Sequence, residues 1–184
     1  EILFVFAFIY GACIGSFLNV VIYRTPRGES LVSSRSHCTS CGTEIKWYDL
    51  FPIFSWIFLG GKCRNCGEKI SPRYMIVESL TGFLFLFSAM AVGFDFHLLI
   101  AVILMSVLVV LSFIDIDHME IPYWCSITIA VLGLIELAYK IGFEKANAVP
   151  VLIEAGVGLI CISLPFAILA VLGAMGGGDV QIMA

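Results

Sequence analysis

"FHLLIAVILMSVLVVLSFIDIDHMEIP" occupies residues 96–122. Positions 96–114 hold no Asp, Glu, Lys or Arg, and then Asp115, Asp117 and Glu120 follow in quick succession. An apolar run of about 20 residues is long enough to cross a bilayer as a helix, and carboxylates at its end mark the return to a polar environment. Four other runs of this kind lie at 2–23, 74–94, 121–143 and 149–174. The second and third are separated only by "GFDFH" at 93–97, a turn short enough to make them a helical hairpin. The composition agrees: 60% hydrophobic, 13% charged and a mean hydropathy of +1.03 exceed what a soluble domain can bury. The expected fold is all-α, a polytopic membrane helix bundle.

The charges give an orientation. Eight of the ten Lys and Arg lie between Arg24 and Arg73, whereas the 93–97 turn has none. The positive-inside rule places the 24–73 loop in the cytoplasm and residue 1 outside, with Lys140 and Lys145 a minority on the outer side. The third and fifth helices then both run inward and end at the cytoplasmic face, one at Asp115 and the other at Asp179. The net charge of −4 is spread too unevenly to inform, and nothing in the composition points to a nucleic-acid partner. The first run has no basic residue before it and no small-residue cleavage site after it, which argues against a removable signal peptide. The chain opens on Glu1, so its true start is expected upstream.

Within the loop, "HCTSCG" at 37–42 and "KCRNCG" at 62–67 give C-x2-C-x21-C-x2-C. Cys38, Cys41, Cys63 and Cys66 form a donor set suited to tetrahedral zinc, and the glycine after each pair helps the chain close on the ion. Reduced cytosol disfavours disulfides between them. A four-cysteine set leaves no open position, so this zinc is structural and 24–73 is a small zinc-binding loop domain. Cys13, Cys125 and Cys161 sit singly in apolar runs and read as small hydrophobes. Between the pairs, "LFPIFSWIFLG" is apolar but too short to span. It forms either the core of the zinc module or a membrane-interface segment with Trp56 at headgroup depth.

Ionisable residues in spans are candidate sites by default. Glu136 precedes Lys140 by one helical turn and reads as a structural pair. Glu154 lies near the outer end of its helix, and Glu78 reads as a packing or interface residue one turn into the second helix. Asp115 and Asp117 are about 200° apart around a helix, so only one can face the bundle interior with Asp179, and periodicity does not say which. Two carboxylates converging on one membrane face suggest aspartyl-protease chemistry. The pair shares a proton, its ionised member activates water, and its protonated member hydrogen-bonds the scissile carbonyl. Gly176, Gly177 and Gly178 would open the helix where Asp179 meets an extended peptide and water.

The ordered set "GSFLNVVIYR", "SRSHCTSCG", "WYDLFPIFSW", "GKCRNCG", "ISPRYMIVESLTG", "DIDHMEIP" and the G-x-G-D of Gly176–Asp179 resembles the bacterial type IV prepilin peptidases. These are bifunctional leader peptidase/N-methyltransferases of pilus and type II secretion systems. The resemblance implies a multi-pass inner-membrane protein that cuts the leader of a prepilin or pseudopilin at the cytoplasmic face. It also implies methylation of the new N-terminus with S-adenosylmethionine, a reaction that no motif here would have suggested. By its spacing to Ile121-Pro122 the family's first catalytic aspartate maps to Asp115, and the second to Asp179; the four cysteines map to its zinc pairs. The resemblance divides the chain into a first transmembrane helix (1–23), the zinc-binding domain (24–73) and peptidase helices (74–184). It associates the first helix and the loop with methylation, although helix packing accounts for the G-x-x-x-G of Gly11 and Gly15. The chain departs from the family at Gln181, where lysine is usual, and at Tyr123, where a polar residue is common. Family members continue with further helices, so the chain is expected to extend beyond Ala184.

Three other readings compete. A cation transporter would place its carboxylates deep within spans and gives the zinc loop no role. A non-enzymatic scaffold predicts that Asp115→Asn and Asp179→Asn alter only stability. A presenilin-like protease shares G-x-G-D but does not explain four cysteines.

Overall fold

The computed structural model describes residues 2–31, 36–145 and 147–171, with the side chains of 159 and 162–171 excepted. The described chain is helical. Four of its helices are long and apolar enough to cross a membrane: α1 (Ile2–Arg24), α3 (Arg73–Val92), α4 (Phe96–His118) and α5 (Tyr123–Gly142). A short helix, α2 (Phe54–Phe58), lies in the loop between α1 and α3, and the expected fifth span is α6 (Ala148–Val171). The chain divides after His118 into two units.

In the first unit, α1 and α3 form the tightest pair, for which small residues are responsible. A Cβ added to Gly15 would lie 2.8 Å from the Glu78 Cα and 3.1 Å from the Thr81 side chain. One added to Gly11 would lie 2.8 Å from both Phe85 and the Thr81 carbonyl. Without Cβ atoms the two backbones close on each other, the way lipid-embedded helices gain packing energy when no hydrophobic effect drives them together. Asn19 adds a hydrogen bond from Nδ2 to the Tyr74 carbonyl, 3.1 Å away. α4 completes the core, where Val109, Val110 and Ile114 meet Leu18, Val21, Ile22 and Val77. On the opposite side of α3, Ile76, Leu80, Phe83 and Phe87 form an exposed apolar stripe at helical spacing. Such a stripe suits lipid, not water.

Gly15→Val is therefore expected to cost the helix bundle about 1–3 kcal/mol by overpacking, read as a lower melting temperature in detergent. Gly133→Val on α5, where an added Cβ would meet nothing within 4 Å, serves as control and should melt like the parent.

The boundaries have local causes. α3 starts directly after Pro72 and ends at Gly93, whose φ of +81° is open to glycine. The Asp95 carboxylate then accepts the His97 amide at 3.0 Å and starts α4. α4 runs one turn past the apolar stretch to His118, so Asp115 and Asp117 are both helical. In the second unit, α5 follows Pro122, and Glu136 pairs with Lys140 at 3.4 Å, as their spacing indicates.

Candidate functional site

The four cysteines come together. Their sulfurs all lie within 4.8 Å of one another, with Cys38 Sγ and Cys66 Sγ 3.9 Å apart. Two copies of one turn build the cage. In the first, the Cys38 amide donates to the Thr43 carbonyl at 2.9 Å and the Gly42 amide to the Cys38 carbonyl at 2.9 Å. In the second, the Cys63 amide donates to the Glu68 carbonyl at 2.8 Å and the Gly67 amide to the Cys63 carbonyl at 2.9 Å. Gly42 and Gly67 have φ of +69° and +73°, which lets each chain fold back. Short antiparallel bridges, His37 with Glu44 and Lys62 with Lys69, close the base of each turn.

Metal–sulfur bonds of roughly 2.3 Å in a tetrahedron put sulfurs roughly 3.8 Å apart, so the donor set fits a metal ion of that kind. Its electrostatics agree. Hydrogen bonding to the Thr43 hydroxyl and backbone, and to the Asn65 amide, holds Cys41 down at about 6. Cys66 is pushed up to about 12: the Glu68 backbone lowers it, but lost hydration and the three neighbouring thiols outweigh that. Four sulfurs this close cannot all ionise alone, and a dication removes the conflict. Asn65 Nδ2 donates to Thr43 Oγ1 at 2.9 Å, linking the two turns. Arg64 reaches out of the second turn to clasp both carboxylate oxygens of Asp49, at 2.9 and 2.6 Å. Those bonds hold the Asp49 carboxyl below its ordinary range.

Trp56 is half-buried within the cysteine module. Its indole packs under Gly61, where an added Cβ would come within 2.8 Å, and Nε1 donates to the Ile70 carbonyl at 3.2 Å. The half-buried ring and its N–H thus both find partners within the module.

Glu78 connects this module to the bundle. The side chain is buried, the Ser16 side chain hydrogen-bonds it, and its Oε2 accepts the Ile53 amide at 2.7 Å. Ile53 has φ +62° and ψ −55°, and the Phe54 amide reaches back to the Pro52 carbonyl at 2.6 Å. This is a γ-turn of the strained kind, which persists only when its surroundings fix it. Sequence reasoning missed the partnership, because a backbone donor leaves no mark in the sequence.

At the end of α4 the two aspartates part company. Asp117 is ion-paired with Arg73, whose guanidinium also donates to the Phe113 carbonyl at 3.3 Å and lies over the Phe113 ring. Asp115 is exposed, and no hydrogen bond or ion pair to its carboxylate is found among the described residues. Asp179 and the three glycines before it lie outside the described residues.

Comparison with known proteins gives a consistent picture. Residues 9–92 match the bacterial peptidase A24 N-terminal domain, and residues 102–184 match the type IV leader peptidase family. A prepilin leader peptidase/N-methyltransferase of Myxococcus xanthus is 40% identical over 98% of the chain, which covers 54% of that protein. Proteins of the same name from Klebsiella pneumoniae and Bacillus subtilis are each 32% identical over 97% and 96% of the chain, covering 81% and 69% of their lengths. The chain thus spans about half of the first relative and about four fifths of the second. No solved structure matches.

Proposed function

We propose, because the chain belongs to the type IV leader peptidase family, that it removes the leader of type IV prepilins or pseudopilins and methylates the new N-terminus. The observation that carries this reading is the division of labour on α4. Asp117 is occupied by Arg73, while Asp115 stands exposed at the helix end. In this reading Asp115 and Asp179 are the catalytic pair. They share one proton; the ionised carboxylate takes a proton from water as it attacks the scissile carbonyl, and the protonated one hydrogen-bonds the developing oxyanion. The leader approaches from the cytoplasmic side of the inner membrane, the side to which the basic loop assigns Asp115.

Cys38, Cys41, Cys63 and Cys66 hold one structural zinc, and residues 24–73 are its domain, between the first helix at 1–23 and the peptidase helices of 74–184. S-adenosylmethionine, when bound, supplies the methyl group. The test is to incubate the protein in liposomes with a prepilin and follow the mass. Loss of the leader, then gain of one methyl on adding the donor, is the expected result. An intact prepilin would refute the peptidase reading, and cleavage without methylation would refute the second activity alone.

A further inference from the structure

The loop carries an apolar surface that neither the cysteine cage nor the proposed peptidase explains. No ionisable residue occurs from Leu50 to Gly61. Trp56 of this segment turns inward, but Phe51, Phe54, Ile57 and Phe58 are 59%, 56%, 56% and 84% exposed. Four large side chains left in water on one small module would be an aggregation site unless something covers them.

We propose that this surface is a membrane foot, which rests in the headgroup–acyl boundary of the bilayer on the loop side, with lipid as its occupant. Its position is the first reason. The Ile53 amide is bonded to Glu78, which lies five residues inside the start of α3 at Arg73. At 1.5 Å per residue that is roughly 7 Å along the span, and a glutamate side chain leaning toward the helix start recovers only part of it. The segment flanking Ile53 is thus held at or just inside the end of a membrane-crossing helix, roughly the 5–10 Å depth at which interfacial apolar faces settle.

The second reason is that most of the foot's backbone amides already have partners. The amides of Phe54, Ser55, Ile57, Leu59 and Gly60 all donate to carbonyls within 51–57. The Ser55 hydroxyl donates back to the Phe51 carbonyl at 2.6 Å, and the Trp56 indole N–H to Ile70. A surface that rests in lipid requires this. The strained turn at Ile53 then has a purpose, because the buried Glu78 carboxylate fixes the height at which the four side chains meet the bilayer.

The test places a fluorophore on the foot. Phe58→Trp and, on the exposed tip of the first cysteine turn, Ser40→Trp are each placed in lipid nanodiscs, and the emission of the parent with its three tryptophans is subtracted. Lipids brominated near the headgroup end of the acyl chain are expected to quench the added emission at 58 roughly twofold or more, as burial to roughly 5–10 Å requires, and to leave that at 40 unchanged. Aqueous acrylamide should do the reverse. Ile57→Trp repeats the measurement should Phe58→Trp not fold. Quenching at 58 by acrylamide but not by bromolipid would overturn the proposal. So would protection that arises only when prepilin is added, which would make the surface a protein dock. No substrate turnover enters the readout, so this result and that of the peptidase assay stand apart.

Discussion

Asp115→Asn is expected to slow leader removal by about 10²–10⁴-fold, the range lost when a positioned acid–base group is removed, while Asp117→Asn leaves it nearly unchanged. Asparagine keeps the shape and hydrogen-bonding capacity of the side chain but can neither take nor give the proton. Because a carboxylate pair works as a unit, Asp179→Asn should be as damaging, and the double variant little worse than either single. The Asp117 substitution loses only an ion pair with Arg73 whose two side chains are about one-third exposed, a contact worth about 0–1 kcal/mol. It therefore lowers the melting temperature slightly without touching the chemistry. Rates of leader removal by mass spectrometry decide it. If Asp117→Asn is the inactive variant and Asp115→Asn cuts normally, the division of roles on α4 is reversed. If both cut normally, the paired carboxylates are not the catalyst.

The parts of this protein that were legible in its sequence are those governed by local pattern. Apolar runs of about 20 residues announced α1, α3, α4 and α5, because lipid forces a backbone to satisfy its hydrogen bonds within its own helix. Gly11 and Gly15, one turn apart, marked the face that α3 packs against. The two C-x2-C pairs marked the cage, because so short a spacer can only turn both sulfurs one way. What local pattern could not reveal was choice between partners distant in sequence. Periodicity alone left Asp115 and Asp117 equivalent, and it gave no sign that Arg73, 44 residues away, pairs with Asp117. The contacts of Trp56 with Gly61 and the Ile70 carbonyl, five and fourteen residues on, were likewise beyond local pattern. The anchoring of Ile53 by Glu78 was hidden more deeply, since one partner is a backbone amide that every residue but proline has.

The second large effect concerns the cage. The purified protein is expected to contain about one zinc per chain, and Cys41→Ser or Cys66→Ser to remove it, because three sulfurs cannot complete the closed tetrahedral site. The module has little else to hold it. Its largest side chains other than Trp56 point outward, and the Arg64–Asp49 clasp is a surface contact with Arg64 more than half exposed. Structural zinc contributes about 10–16 kcal/mol in small peptides of this type. If even about 3 kcal/mol of that is realised here, losing the metal raises the open fraction about a hundredfold. Limited proteolysis should then cut readily within the loop, while the helical circular dichroism of the membrane helices persists, since α1, α3 and α4 hold one another through a core to which the cysteines contribute nothing. The Ile53 amide stays with Glu78 only while the module is ordered, so added zinc should restore protease resistance in the parent after chelation, but not in either serine variant. A parent that carries no zinc and resists protease equally with and without chelator would show that the module folds on its own contacts. A coloured, iron-containing preparation would instead show that the same four sulfurs select another metal.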